Sequence, residues 1–482
     1  MAIKRYIAIA DNTITNQYNA ALSSQRTSAN AGLADSLEVF KIYGQVLSNT
    51  TEQSRILIRF PINETDLTSD ITTIKQDRDS GKIPAVGSVK FFMKLSNVEH
   101  PDTVPRNFKL VAHPLSQSWD EGIGMDLDEY TDIGQSNWIS ASSTTGWTTP
   151  GSDYLTTHTY EQQFDTGLED FEVEVTSYVE GILDSTITSG NNHGFAILLS
   201  SSYISDSNSY YTKKFSARSS EYFFKRPYIE ARWDSSIKDD RSNFYYSSSL
   251  APAEDNLNTL YLYNNIAGRL KNIPTVGTNK IIVGLYQSSA SAPSGSLLTA
   301  VTGGYVSTGI YSASVALTGT ADTLHDVWYS GSTQYHTGTI YPETRSLEGT
   351  TRTNDYYVSI TNLKKVYDSK ETARFRIYSR LKGWSPTIYT RAVSEPQLYI
   401  PTSGSYEIFR IIDNYKVVEH ATGSLKYTEL SFDGSGSYFD FDMSILESGY
   451  SYGIRLAYYD DYISDYKPIN KVFKFRVEKY ET

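Results

Sequence analysis

The chain has 482 residues, of which 39% are hydrophobic and 20% charged, and a formal net charge of −12. At ~150 residues per domain this length predicts three folded domains, and the mixture of apolar and charged residues excludes a disordered chain. The negative charge and the dispersed basic residues exclude a protein that follows a nucleic-acid backbone, because such a protein needs a basic face.

The absence of cysteine excludes disulfides and sites in which thiolates bind a metal. We expect no membrane span, because no apolar run approaches the roughly 18 residues that one requires. The apolar run at residues 6–10 is also shorter than the core of a secretory signal, so we expect no such signal in this sequence.

Tyrosine is unusually frequent, with 39 Tyr against 19 Phe and 6 Trp. Tyrosine suits strands with one wet face, because its ring packs while its hydroxyl reaches water or a partner. It is also enriched at protein interfaces. The composition therefore fits either half-exposed strands or extensive contacts between subunits.

Alternating apolar and polar residues recur along the chain and predict antiparallel strands with one buried face. The first strand is predicted over residues 6–10. Five later alternations give the apolar faces Val89, Phe91, Met93 and Leu95; Phe171, Val173 and Val175; Ala373, Phe375 and Ile377; Phe439, Phe441 and Met443; and Phe473, Phe475 and Val477.

Helical patterns are scarce. Residues 177–183 have apolar side chains at helical spacing, and Ser177 with Glu180 has the spacing of a capping box. A second, weaker pattern covers residues 68–77 and ends before Gly81. We expect the first of these to be one short helix that closes an end of a sandwich.

Five short runs follow one another in the first half of the chain, at residues 55–60 (RILIRF), 119–122 (WDEG), 147–151 (WTTPG), 175–176 (VT) and 192–195 (NHGF). In this order and spacing they resemble the β-sandwich modules of the DNRLRE type. These are jelly-roll-like domains, related in shape to carbohydrate-binding modules, on extracellular and phage proteins. The resemblance covers about residues 1–235 and implies a structural or binding domain without a catalytic group.

The resemblance also implies structural roles for individual residues. Trp119 and Trp147 match packing residues that pin a long crossover, and Gly194 belongs to the turn of the last run. The chain departs from the family pattern at Ile182 and Leu183, where an aromatic residue is usual. That exchange preserves a buried apolar side chain.

The domain boundaries follow from composition. A strand-like run at residues 226–233 precedes the charged, polar stretch 234–243, which reads as a linker. The predicted domains are a jelly-roll-like sandwich, a second β-sandwich and a third, immunoglobulin-like β-sandwich, at residues 1–238, 239–366 and 367–482.

The predicted fold class is therefore all-β, with several antiparallel β-sandwiches. In the last domain, residues 446–452 (LESGYSY) resemble the tyrosine corner of immunoglobulin-like and fibronectin type III-like sandwiches, with Tyr452 as the corner residue. The second half as a whole resembles sandwich domains of bacteriophage virion proteins.

The segment between Trp119 and Trp147 collects acidic residues. Asp126, Asp128 and Asp132 could offer oxygens to a structural Ca²⁺, which takes six to eight hard ligands. Their spacing is not that of an EF-hand loop, and a solvated acidic loop is the alternative. We expect no other cofactor.

Trp138 is the tryptophan of this segment that we expect to be exposed, and hence the candidate for stacking against sugar rings. Neither a phosphate-binding loop nor an HExxH motif occurs in the sequence, and we expect no enzyme.

These observations favour a non-enzymatic structural protein of a tailed bacteriophage virion, as a decoration, neck or collar, or fibre-type component. It would be made in the host cytoplasm, be located in the virion, and bind other virion proteins as a homo-oligomer or in many copies. The alternative is a carbohydrate-binding or adhesion module that binds a surface glycan at a cell surface or in host receptor recognition. Neither nucleic acid nor a membrane is an expected partner.

Overall fold

The computed structural model describes residues 2–65, 67–68, 70–101, 103–125, 132–287, 296–345, 355–384, 398–460 and 462–479. The chain forms two compact units, Ile3–Trp233 and Met1–Ala2 with Asp234–Thr482. The sheets are antiparallel apart from a single strand pair among those described. The predicted all-β architecture of several antiparallel sandwiches is confirmed.

The unit Ile3–Trp233 contains two sheets, ordered β1-β11-β5-β8 and β10-β3-β4-β9-β6-β7, with β2 also paired to β4. The sheets pack through Phe171 of the first and Phe164 and Phe215 of the second, with ring centroids 6.3 Å apart. The described strands are β1 (Ile3–Ile7), β2 (Ala10–Thr15), β3 (Ser36–Tyr43), β4 (Thr51–Arg59), β5 (Lys90–Leu95), β6 (Phe108–Pro114), β7 (Tyr160–Phe164), β8 (Phe171–Glu174), β9 (Phe195–Leu199), β10 (Tyr210–Ser216) and β11 (Tyr228–Arg232).

The predicted apolar faces are buried in the structure. Val89, Phe91, Met93 and Leu95 are at most 1% exposed, and the other four predicted faces are buried as well. The first strand differs from its prediction, because the apolar run at residues 6–10 is where the chain passes from one sheet to the other. The N–H of Ala8 bonds to Pro227 beside the first sheet, and the N–H of Ile9 bonds to Arg59 of the second.

The described helices of this unit are α1 (Ile74–Asp79), α2 (Thr176–Leu183) and α3 (Ser201–Ser205). Helix α2 lies where it was predicted, but the predicted capping box is wrong: no side chain caps its first turn. The Ser177 hydroxyl instead bonds to that of Tyr160, at 2.7 Å. Helix α1 starts later than predicted, because Thr73 and Gln76 form a capping box there. None of the described helices is both long and apolar enough to cross a membrane.

The second unit begins with a sheet over residues 258–340, here called the middle sheet, ordered β12-β17-β16-β15-β18-β19. Strand β16 pairs with β15 through its first part and with β17 through its last part, so the sheet folds around its core. The described strands are β12 (Asn258–Tyr263), β13 (Asn265–Ile266), β14 (Arg269–Leu270), β15 (Ile281–Tyr286), β16 (Leu297–Ser307), β17 (Ile310–Val315), β18 (Leu324–Ser330) and β19 (Thr333–Ile340).

Residues 356–478 form two further sheets, here called the last sandwich, ordered β20-β22-β26-β25 and β21-β29-β27-β23-β24, with β28 on β27. Tyr406 of one sheet stacks on Phe439 of the other at 4.0 Å between ring centroids. The described strands are β20 (Tyr356–Ile360), β21 (Val366–Asp368), β22 (Thr372–Leu381), β23 (Gly404–Arg410), β24 (Lys416–Val418), β25 (Ser431–Asp433), β26 (Gly436–Asp442), β27 (Ser451–Asp460), β28 (Asp465–Pro468) and β29 (Phe473–Glu478).

Tyr452 of the last sandwich is fully buried, and its hydroxyl donates to the carbonyl of Glu447 at 2.7 Å. This bond back to the chain five residues earlier is the hydrogen bond of a tyrosine corner.

The stretch 234–243, read from the sequence as a linker, is bonded to the last sandwich. The carbonyl of Ile237 accepts from the N–H of Phe432 at 2.9 Å, and the N–H of Asp239 donates to Phe432 at 3.1 Å. Lys238 adds an ion pair with Glu429 at 2.6 Å. The segment is therefore held beside β25 by a parallel bridge between Lys238 and Phe432.

The two ends of the middle sheet region are held together. The N–H of Tyr246 donates to the carbonyl of Glu343 at 2.9 Å, and the N–H of Glu343 donates to Phe244 at 2.8 Å. The chain thus enters and leaves this region at one place.

Candidate functional site

Trp119 and Trp147 anchor the long crossover of the first unit. Both are buried, and each indole N–H donates to a backbone carbonyl at 2.8 Å, that of His193 for Trp119 and that of Asn137 for Trp147. A buried indole stabilises the fold through its large apolar area, and a hydrogen-bond partner for its N–H avoids the cost of a buried unsatisfied donor. In the structure these two residues therefore hold the crossover onto the core.

Trp138 is not exposed, and its prediction as a sugar-stacking residue is wrong. Its side chain is 6% exposed and packs in the same core cluster as Trp119 and Trp147. The reason is Arg55 of β4, whose guanidinium carbon lies 4.9 Å from the Trp138 ring. The ring covers this cation and is closed off from solvent by it.

Arg55 itself is a buried cation with neutral neighbours. It is 8% exposed, and its Nη1 donates to the carbonyl of Gly151 at 2.7 Å. The Tyr154 ring lies 5.8 Å from the guanidinium carbon. Burial lowers the pKa of Arg55 because the charged form loses its hydration. The cluster is a packed framework that offers no open face to a ligand.

Gly194 lies in a turn that no other residue fits. Its φ is +81°, and a Cβ there would lie 2.1 Å from the carbonyl oxygen of Ile58. Its N–H donates to the hydroxyl of Tyr178 at 3.1 Å. The glycine lets the turn pack directly onto the backbone of β4, next to the His193 carbonyl that holds Trp119.

Asp132 is the one predicted calcium ligand that the structure describes, because Asp126 and Asp128 lie outside the described residues. Its Oδ2 accepts from the N–H of Met125 at 2.8 Å, and its carbonyl accepts from the N–H of Asn30 at 3.0 Å. Within the described ranges no group of three or more His, Cys, Asp or Glu could hold a metal. The calcium site therefore stays a prediction.

Asp11 of β2 is the most perturbed carboxylate of this region. It is fully buried, its Oδ2 accepts from the N–H of Arg218 at 2.6 Å, and its Oδ1 has no hydrogen-bond partner. Glu121 lies beside it, with its Oε1 bonded to the N–H of Asp11 at 2.9 Å. Burial raises the pKa of Asp11 to about 7, against the hydrogen bond from Arg218, and the charge of Glu121 raises it further.

The raised pKa of Asp11 makes the unit less stable as the pH rises. An unfolded Asp loses its proton near pH 3.8, whereas the folded protein keeps it until about pH 7. The stabilisation of the folded unit by the protonated form of Asp11 is thus complete below pH 3.8 and is lost as the pH rises through about 7. Relative to the Asp11→Asn variant, the free energy of unfolding of the natural protein should fall by roughly 2 kcal/mol between pH 5 and pH 7.

Urea unfolding followed by tryptophan fluorescence measures this difference, since four of the six Trp lie in the first unit. Asp35→Asn, which makes the same chemical change at an exposed carboxylate of the same unit, is the matched control. A constant difference between the natural protein and Asp11→Asn across this pH range would contradict the prediction.

No family model matches this chain, and no curated protein matches it. Among solved structures, trypsin-activated alpha-2-macroglobulin from Escherichia coli is similar over 88% of this chain and 24% of that chain, with 8% identity and a TM-score of 0.18. The chain thus spans about a quarter of that protein's length.

Two adhesion proteins are similar at the same level. The Yersinia pseudotuberculosis adhesin InvE matches over 48% of this chain and 61% of that chain, with 12% identity and a TM-score of 0.15. A tetra-tandem repeat from the extending region of a large adhesion protein matches over 97% of this chain and 99% of that chain, with 8% identity and a TM-score of 0.15. Similarities at these TM-scores are too weak to relate the chain to a fold family or a function.

The sequence did not reveal the partners of the site residues. Arg55 belongs to the RILIRF run, but nothing in that run indicates that its side chain lies under Trp138. Asp11 stands in an ordinary strand pattern, and its burial beside Glu121 results from the fold alone. An arginine at an inward position of a strand is the one signal that would have pointed to the first contact.

Proposed function

We propose that this protein is a non-enzymatic structural component of a tailed bacteriophage virion, as a decoration, neck or collar, or fibre-type protein that binds other virion proteins. The observation that carries the proposal is an exposed apolar patch on the first unit, here called the apolar patch. Its side chains, with their exposed fractions, are Leu33 (43%), Ile123 (62%), Met125 (70%) and Ile133 (67%).

The patch is built on two segments that are bonded to each other. The N–H of Leu33 donates to the carbonyl of Gly124 at 2.9 Å, and Ala29 pairs with Ile133 as an antiparallel bridge. Side chains held on such a backbone are presented in fixed positions. Large exposed apolar patches mark contact with another protein, and we assign these four side chains to one such patch.

The polar groups of the same unit support a structural role. Arg55, Asp11 and the two anchoring tryptophans are buried and bonded to backbone groups, so they stabilise the framework. The assignment to a phage particle rests on the resemblance of the first half to DNRLRE-type modules and of the second half to sandwich domains of virion proteins. Many copies on a particle would make individually weak contacts effective.

Localisation tests the proposal. Particles purified from the source are searched for this chain by mass spectrometry and labelled with gold-conjugated antibody under the electron microscope. Label at fixed positions on the head, neck or tail is the expected result. Absence of the chain from the particles would overturn the virion assignment.

A variant tests the apolar patch. Ile133→Asp places a charge in the patch and should reduce incorporation into particles by about tenfold, since burying an unpaired charge at an interface costs at least the ~1.4 kcal/mol of one decade. Leu168→Asp is the matched control, because Leu168 is 58% exposed and belongs to the same unit outside the patch. Equal incorporation of both variants would exclude the patch as the contact surface.

A further inference from the structure

The last sandwich contains a cavity of about 220 Å³ between the strands β20 and β28. Among the described residues β20 pairs only with β22 and β28 only with β27, so the cavity opens where the two sheets of the sandwich have their edges. Pockets for drug-sized ligands enclose roughly 300–1,000 Å³, so this one suits a ligand of about one ring. Its walls include Tyr356, Tyr357, Tyr458, Lys382, Lys467 and Lys471.

The cavity is positively charged in a protein whose net charge is −12. Three lysines line it against two aspartates, Asp355 and Asp460. Lys467 is paired with Asp355 at 3.0 Å. Lys471 has neutral contacts, since its Nζ donates to the carbonyl of Val358 at 2.9 Å and lies 5.3 Å from the Tyr357 ring centroid. In the described part of the chain, Lys471 has no carboxylate within ion-pair distance, and its charge is available to an anion.

The aromatic walls are held in place before any ligand binds. The Tyr356 ring stacks on that of Tyr399 at 4.5 Å and meets Tyr458 edge-on at 5.6 Å. The Tyr458 hydroxyl is fixed by Ser379 at 2.6 Å. Tyr357 is 47% exposed, and its ring is held by two cations, with the Arg380 guanidinium carbon 5.0 Å and Lys471 Nζ 5.3 Å from its centroid. Fixed aromatic faces bind a flat apolar surface with little loss of side-chain entropy.

An unsatisfied acceptor completes the lining. Asp460 binds the N–H of Tyr462 through Oδ1 at 3.0 Å, whereas its Oδ2 is buried and has no hydrogen-bond partner. A buried acceptor left without a donor is costly, and a ligand hydroxyl would satisfy it. The lining thus combines a cation, an acceptor and aromatic faces.

We propose that this cavity, the β20–β28 pocket, binds a carboxylated sugar residue. The carboxylate of such a residue pairs with Lys471 and Lys382, a hydroxyl donates to Asp460, and the ring lies against Tyr357. A neutral sugar lacks the first contact, and a simple carboxylate lacks the other two. The site does not depend on the virion proposal, because its residues belong to a different unit from the apolar patch.

Calorimetric titration of the full chain tests the pocket, with D-glucuronic acid and N-acetylneuraminic acid as probes and with glucose and acetate as comparisons. One of the two acidic sugars should bind at least about tenfold more tightly than either glucose or acetate. Lys471→Gln and Tyr357→Ala should each weaken that binding by about tenfold. Lys370→Gln, an exposed lysine of the same sandwich outside the pocket, should leave it unchanged.

Three results would overturn the proposal. Acetate binding as tightly as the acidic sugars would make the pocket a general carboxylate site, such as one for a peptide terminus. Equal binding by all variants would place the sugar elsewhere on the protein. No heat from either acidic sugar would exclude the ligand class, provided that thermal unfolding shows the chain to be folded. Lys382→Gln removes the second partner of the carboxylate at an exposed position, so it should also weaken binding while the chain stays folded.

Discussion

Replacing Asp326 with Ala is expected to destabilise the middle sheet by about 3–5 kcal/mol, the cost of breaking a buried ion pair from one side. Asp326 is fully buried on β18. Its Oδ2 accepts from Nη2 of Arg241 and from the indole N–H of Trp328, both at 2.7 Å. The substitution removes the ion-pair partner of the arginine and leaves the indole without an acceptor, inside the core that Trp328 helps to form.

Hydrogen–deuterium exchange of the full chain measures this effect locally, through peptides that cover β15 and β18. Faster exchange in these peptides, with unchanged exchange in the first unit, is the expected pattern. Asp322→Ala makes the same chemical change at an exposed position of the same region and serves as the control. If both variants exchanged like the natural protein, the Asp326 network would contribute little to stability.

Replacing Gly194 with Ala is the second change with a large expected effect, roughly 2–5 kcal/mol, the sum of two costs. A residue with a Cβ pays about 1–2 kcal/mol to adopt a left-handed conformation. The new methyl would also lie 2.1 Å from the Ile58 carbonyl oxygen and 2.9 Å from the Arg59 Cα, and moving backbone apart costs about a further 1–3 kcal/mol. Displacing the turn would also move the carbonyl of His193 away from Trp119.

Gly87→Ala separates the two costs. Gly87 has a φ of +90°, and no atom lies within 4 Å of the position that an added methyl would take, so only the conformational cost applies there. Urea unfolding followed by tryptophan fluorescence should show a clearly larger loss for Gly194→Ala than for Gly87→Ala. Similar losses in the two variants would mean that the turn can move away from β4 without cost.

Local patterns predicted the strand faces well, because the alternation that buries Phe375 or Phe475 is a property of a few neighbouring residues. The patterns failed where contacts with residues elsewhere in the chain determine whether a side chain is buried. Trp138 was expected to be exposed, but it is buried because Arg55, far away along the chain, packs against it. The start of α1 was misplaced because Thr73 and Gln76 cap each other, whereas residues 68–72 have apolar spacing without a cap.

The pocket on the last sandwich was invisible in the sequence for a related reason. Tyr356 and Tyr357 follow each other in one strand, whereas Lys471 comes from a turn more than a hundred residues later. Neither segment has a recognisable motif. Only the pairing of sheets, which is set by long-range contacts, brings them to one place.

The parallel bridge between Lys238 and Phe432 also has a consequence for a molecule stretched between the start of this segment and the C-terminal side of the last sandwich. Tension that enters the second unit from its N-terminal side reaches Phe432 and Glu429 of the last sandwich directly, through the bonds of Ile237, Asp239 and Lys238. The middle sheet, whose chain ends are joined to each other, is then bypassed by the force. It would keep its shape in a tethered molecule until those bonds had broken.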